Sequence, residues 1–379
     1  MSTTPDLSEI LLLSHTYGKN PLWIIGGGGN ISLKQGDRMW IKASGMTLEE
    51  IQRDGFVEMN LEALQAMVRR QYPEDSAARE NLAKEMLLSC RLPGEDQKRP
   101  SVETGMHAVI PHRIVFHTHP TLINGLTCSR DGKAWAEKLF GDTILWVPVV
   151  NPGIVLSRYL LDHFKNYPRA IFLQNHGLVV YGKTPEEIES FHRTIEGRLL
   201  DALPKNLRSL YEEWKQEQPL AAIQPGDTEK VVTAFYVAEK GVPQTEAPIV
   251  FRDTSPFFKP YFTSIEAFSS IDGPFTPDHV VYAGHALLWV DQMNRLQEAL
   301  RTYRIKQGGQ MPGVIAVKDV GIFFVGQNEK KARIIYLLAR DMVRISLLAK
   351  AFGGVQFMPE EQTEFIRHWE VEQFRKKVT

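Results

Sequence analysis

The stretch from Pro100 to Pro120, P-S-V-E-T-G-M-H-A-V-I-P-H-R-I-V-F-H-T-H-P, constrains the fold more than any other part of the chain. Its apolar, β-branched run Arg113–Phe116 leads directly into His117-Thr118-His119-Pro120. In a strand over Ile114–His119 the side chains alternate faces, so His117 and His119 project to one side. Two imidazoles on one face at a strand's end are half of a metal site. Glu103 lies upstream on a short helix and supplies a carboxylate. His107, four residues on, shares its helix face and reads as a supporting or packing residue rather than a ligand. A third imidazole is expected elsewhere, and Gln174-Asn175-His176-Gly177 offers one after a second strand-like run, Ala170–Leu173. An H-x-H pair alone is equally well read as two ordinary hydrogen-bonded histidines. A strand before each histidine cluster, with a carboxylate nearby, favours metal binding.

The rest of the chain narrows what such a metal serves. A length of 379 residues accommodates two domains of ordinary size or one large one, and 43% hydrophobic residues fit a globular core. With a net charge of -1 there is no global field to attract nucleic acid or an anionic membrane. An anionic substrate must therefore be held by local donors. Cys90 and Cys128 are too few for a disulfide framework and fit a reducing compartment. The N-terminus lacks the basic region of a secretion signal, and no apolar run approaches the ~20 residues of a membrane helix. A cytoplasmic location is expected.

Along the chain, an opening helix over residues 6–18 precedes a strand at Leu22–Ile25, the glycine run Gly26–Gly29, and a second strand at Met39–Lys42 after a turn at Gln35–Asp37. A glycine run lets backbone N–H groups approach a ligand and form an anion-binding concavity, although a plain hairpin connection fits equally. Ile31 stands where a dinucleotide fingerprint needs its last glycine, and no G-K-[ST] follows for a Walker loop. Ser44-Gly45 offers a further hydroxyl and backbone donor. Helices are expected over 47–52, 60–71, 80–92 and from Leu122 to Leu126, with strands at 143–150 and 178–181. Thr184 caps a helix reaching about Leu203, with Pro185 at its first position and Glu187 completing a capping box. Residues 204–228 read as a connection between two halves.

The second half echoes the first. Pro111–His119 aligns without gaps to Pro277–His285, an offset of 283 − 117 = 166, and Pro168–Gly182 aligns to Pro312–Gly326, an offset of 320 − 176 = 144. Helix caps follow both glycines, at Thr184 and at Asn328. The apolar pattern persists, but His117 maps to Ala283 and His176 to Val320, leaving His285 alone. One imidazole makes no tetrahedral site, so the expectation is a catalytic domain over 1–215 and a degenerate copy without metal ligands over 216–379.

Taken together and in order, Gly29-Asn30-x-Ser32, Ser44-Gly45, Pro100-Ser101-x-Glu103, His117-x-His119-Pro120 and Asn175-His176-Gly177 resemble the class II aldolase/adducin family. The resemblance is closest to the aldolase half of bacterial rhamnulose-1-phosphate aldolase/alcohol dehydrogenase fusions. It is strong over residues 8–203, and none of the 379 residues is expected to form the dehydrogenase part. It implies an α/β fold, a three-layer α/β/α arrangement with a mainly antiparallel central sheet. It also implies one divalent metal, usually zinc, on His117, His119 and His176, with Glu103 as displaceable ligand and acid/base. By the same resemblance Gly29, Asn30, Ser44, Gly45 and Ser101 hold the phosphate of a sugar-phosphate substrate. Val102 departs from the family's commoner second serine and removes one hydroxyl. The implied function is a lyase, a homo-oligomeric aldolase splitting a ketose 1-phosphate such as rhamnulose or fuculose 1-phosphate into dihydroxyacetone phosphate and an aldehyde. Epimerases, dehydratases and decarboxylases share the scaffold, and adducin is a non-catalytic member lacking the histidines. Epimerases typically carry aspartate at the Glu103 position. A cupin or a metallo-β-lactamase would need an acid soon after H-x-H, where Pro120–Asn124 has none.

Overall fold

The computed structural model describes residues 6–165, 168–217, 227–240 and 247–369. Asn30–Gln35 (β1), Arg38–Lys42 (β2), Phe56–Asn60 (β3), Ile114–Thr118 (β4), Ile144–Val147 (β5), Ala170–Leu173 (β6) and Gly177–Gly182 (β7) form one sheet, in the order β3-β2-β1-β4-β7-β6-β5. Every neighbouring pair is antiparallel except β5 with β6. Alternation along the strands assigns the faces. Ile114, Phe116, Phe172, Leu178 and Val180 pack with Ile10 and Leu13 of the helix Ser8–Gly18 and with Ile188, Ile195 and Leu199 of the helix Pro185–Ala202. On the other face, Val115, Ile171 and Val179 pack with Met106 of the helix Thr104–Val109 and with Leu156 and Leu160 of the helix Ile154–His163. Each such side chain contributes about 1.5–3 kcal/mol when fully buried. The first half is thus the expected three-layer fold around a mainly antiparallel sheet.

Three local expectations change. Leu22–Ile25 is a turn rather than a strand, because Asn20 accepts from three amides, those of Trp23 and Ile24 at its carbonyl and that of Leu22 at its side chain. Its own carbonyls, on Leu22 and Trp23, accept from Thr121 N and His119 N, so the stretch carries the glycine run over the histidines. Residues 47–52 are turn and coil rather than helix. The connection after 204 begins with a helix, Lys205–Gln216, while residues 218–226 lie outside the described residues.

Ile249–Asp253 (β8), Leu288–Val290 (β9), Val314–Val317 (β10) and Gly321–Gly326 (β11) form a second sheet, in the order β8-β11-β10-β9. Only β9 with β10 is parallel. Strand for strand this repeats β4-β7-β6-β5, and the registers agree. His117 pairs with Val179, and Arg252 pairs with Phe323, offsets of 252 − 117 = 135 and 323 − 179 = 144. The turn amides repeat as well: Asn175 N donates to Thr127 O, and Asp319 N donates to Phe262 O, where 262 − 127 is again 135. The second offset is therefore as expected and the first is not. His279–Ala283 is a π-helical turn instead of a strand, and the position matching His117 is Arg252, not Ala283. Every residue of that run is buried, so it carries no periodicity to separate helix from strand. Arg252 stands in the place of His117, its Nη2 donating to the carbonyl of Val320, which stands in the place of His176.

Candidate metal centre and substrate cavity

The register of β1 on β4 sets Asn30 directly opposite His117, and residues so paired share a face. Ser32, two residues on, faces the same way. The helix Thr104–Val109 lies against this face with Glu103 at its N-cap. A chain of hydrogen bonds follows. Asn30 Nδ2 donates to Glu103 Oε2 at 2.7 Å, so Asn30 Oδ1 is the acceptor toward His107 Nε2. His107 Nδ1 then accepts from Ser32 Oγ at 2.8 Å. Burial holds His107 well below the ordinary imidazole range, in keeping with a neutral ring that carries one proton. His107 is thus a support for Asn30.

His119 follows the end of β4, and His176 closes the turn between β6 and β7. That turn holds Asn175 at φ 53°, a left-handed conformation that asparagine tolerates better than most residues. The Asn175 amide donates to Phe275 O at 3.1 Å and Gln356 O at 2.8 Å, both in the second half. The three imidazoles converge through Nε2, 2.9 Å between His119 and His117 and 3.3 Å between His117 and His176. Bonds of about 2.0–2.1 Å to a tetrahedral ion put nitrogens roughly 3.3 Å apart. His117 Nδ1 donates to Leu178 O at 2.9 Å and His119 Nδ1 to Asp278 Oδ2 at 2.5 Å, which leaves both Nε2 lone pairs facing the centre. Burial outweighs the attraction of Glu103 and lowers His117 to about 4 and His176 to about 3, so both are neutral donors.

Glu103 stands beside this cluster. Its Oε2 and Oε1 lie 3.5 Å from His117 Nε2 and His176 Nε2 respectively. Burial pushes the carboxyl up, but His117, His176 and His119, with the hydrogen bond from Asn30, bring it down to about 2. Oε1 is buried and has no hydrogen-bond partner among the described residues. Three imidazoles whose ligand atoms lie within 4.8 Å of one another, two of them with the proton held on Nδ1 away from the centre, beside an orphaned carboxylate oxygen, fit a divalent cation.

A small cavity opens onto the cluster. Gly29, Asn30, Ser44 and Ser101 line it with Glu103, His119 and His176, whereas Gly45 is not among the lining residues. Val102, the departure noted above, also faces it. Sequence reasoning missed Lys42, Pro277 and Asp278. Lys42 lines the cavity and is buried, its ammonium donating to Met46 O at 2.7 Å and Gly27 O at 3.3 Å. Its only signal is a lysine closing an apolar strand just before Ala43-Ser44-Gly45. Pro277 and Asp278 come from the second half and carry no local signal.

Residues 9–196 match the family model described as the class II aldolase and adducin N-terminal domain. The first half of this chain is a class II aldolase/adducin domain. A Bacillus subtilis (strain 168) protein named as the uncharacterized oxidoreductase YuxG is 24% identical over 97% of the chain, and the chain spans 58% of that protein's length. A probable methylthioribulose-1-phosphate dehydratase of Acyrthosiphon pisum is 27% identical, the match covering 48% of the chain and 82% of the relative. Among solved structures, the N-terminal class II aldolase domain of a conserved Thermoplasma acidophilum protein is 25% identical at a TM-score of 0.46, covering 53% of the chain and 95% of that domain. Within this class II aldolase domain the histidine cluster has a donor set suited to a divalent metal. Among the described residues no helix is long and apolar enough to cross a membrane.

Proposed function

We propose that the chain is a zinc-dependent class II aldolase that cleaves a ketose 1-phosphate to dihydroxyacetone phosphate and an aldehyde such as lactaldehyde. Residues 1–215 are the catalytic unit and 216–379 a degenerate copy, in a cytoplasmic homo-oligomer. The observation that carries this reading is Glu103, one oxygen clamped by Asn30 and 3.5 Å from His117 Nε2, the other buried without a hydrogen-bond partner among the described residues and 3.5 Å from His176 Nε2. Neutral imidazoles and a carboxylate suit zinc, with His117, His119 and His176 as the ligands and Glu103 as an exchangeable fourth. Zinc held by these residues would polarise the substrate carbonyl and offset the charge that cleavage develops. Glu103 handles the proton. Its ionised Oε1 takes a proton from the reacting carbon of the three-carbon fragment in condensation and returns it in cleavage. Ser32, His107 and Asn30 keep the other oxygen fixed. Lys42, with Ser44, Ser101 and the backbone of Gly29, supplies the charge and donors for the phosphate.

The dehydratase named among the relatives favours a second reading, loss of water from a phosphorylated ketose by the same carboxylate. A panel of ketose phosphates, with and without chelator, separates the two: an aldolase yields two carbon fragments, a dehydratase keeps the skeleton. Glu103→Gln retains shape and loses proton transfer, so cleavage drops by ~10²-fold or more while metal analysis still finds about one ion per chain, the count for a single four-ligand site. Normal turnover in that protein with zinc bound means that Glu103 is not the acid/base.

A further inference from the structure

The bond from His119 to Asp278 crosses from one half of the chain to the other. We propose that Asp278 is a positioning residue for His119, so that the second half completes the metal site of the first. This rests on the three-histidine reading above.

Asp278 is 2% exposed, and its Oδ2 accepts from His119 Nδ1 at 2.5 Å. A carboxylate withdrawn from water is costly unless paired and hydrogen-bonded. Here the partner is an imidazole whose other nitrogen faces the cluster. A carboxylate behind a ligating histidine fixes its tautomer and ring orientation and strengthens it as a donor.

The glycine run is shaped around this pair. A Cβ on Gly28 would stand 2.5 Å from Asp278 Oδ2 and 3.1 Å from His119 Nδ1. Gly28 is therefore bare where the carboxylate passes, a reason separate from any approach to phosphate. The segment carrying Asp278 is also fastened beside His119. Thr276 N donates to His279 Nδ1 at 3.2 Å, and His279 Nε2 lies 3.4 Å from Asp341 Oδ2. Asp341 Oδ1 in turn accepts from Thr121 Oγ1 at 2.5 Å, two residues beyond His119. Neighbouring residues 278 and 279 thus reach the same short stretch of the first half, one directly and one through Asp341.

The test is zinc affinity of the full chain, read by competition with a chromophoric chelator, together with the visible absorption of the cobalt-loaded protein. Asp278→Ala is expected to bind zinc about 10–100-fold more weakly and to shift the cobalt bands. Asp278→Asn, which keeps an acceptor without the charge, falls between it and the wild type. Gly28→Ala weakens binding with Asp278 intact. A folded Asp278→Ala protein with wild-type affinity and spectrum overturns the proposal, even if its metal-free form melts earlier, because that is the signature of a pair serving only to join the halves. If circular dichroism shows the alanine variant unfolded, wild-type affinity and spectrum in Asp278→Asn overturn it instead. Failure of the underlying reading looks different: the wild type then binds no more zinc than His117→Ala does.

Discussion

His192 shows what burial does to an imidazole that holds nothing. It is packed against Tyr17, Trp23 and Phe116, with ring centroids 4.7, 4.7 and 5.7 Å away. Neither ring nitrogen has a hydrogen-bond partner among the described residues. Burial lowers it from 6.5 to about 3. Between those values the unfolded chain binds the proton and the folded chain does not, so stability rises with pH across that window and is lost as pH falls through it. His117 and His176 act in the same sense. The melting temperature of the metal-free protein should therefore drop from about pH 7 to about pH 5, and less steeply in His192→Leu. Parallel slopes in thermal melts of the two proteins would remove His192 from this account. At this scale much of the candidate site was legible, because His117, His119, His176, Glu103 and Asn30 each stand beside a strand end, turn or glycine. Lys42 and Asp278 were not. A lysine closing a strand ordinarily faces solvent, and an aspartate 159 residues from its partner gives no sign of it in the sequence.

The turns after β6 and β10 share a backbone and differ in attachment. Asn175 and Asp319 are the only non-glycine residues with positive φ among those described, at 53° and 58°. The Asn175 side chain holds two carbonyls of the second half, while Asp319 is exposed. Asn175→Gly keeps the left-handed turn and loses both bonds, a cost of about 1–3 kcal/mol. Asp319→Gly should stay within about 0.5 kcal/mol of wild type. Chemical denaturation of both proteins measures the difference, and equal midpoints would show that the Asn175 anchors add nothing. Elements with a clear period or cap were read correctly from sequence, as with the helices begun by Thr184 and Asn328. Leu22–Ile25 and His279–Ala283 were not, since a short apolar run buried throughout looks the same as strand or turn until its hydrogen-bond partners are known.

For the whole molecule, the two halves are folded into each other. Leu348 and Phe352 belong to the core of the first sheet, and Ile25 and Cys128 to that of the second. The helix Glu329–Ala349 contributes to both. A fragment of residues 1–215 would lose those side chains along with the partners of His119 and Asn175. It should show no cooperative thermal transition and should aggregate on size-exclusion chromatography. A sharp melt and wild-type zinc affinity in that fragment would contradict this. The repeat was visible in sequence where its two copies kept one offset. It was misaligned over β4 because the true counterpart, β8, repeats only Ile-Val-Phe, at Ile114–Phe116 and Ile249–Phe251, an apolar match too short to stand out until the pairing is known.

The carboxylate behind His119 and the proline lining the cavity belong to the same chain as the histidine cluster. Dilution cannot separate them from it, as it can when a neighbouring molecule supplies such groups. Whatever the assembly, these parts of the site are present in each chain at any protein concentration.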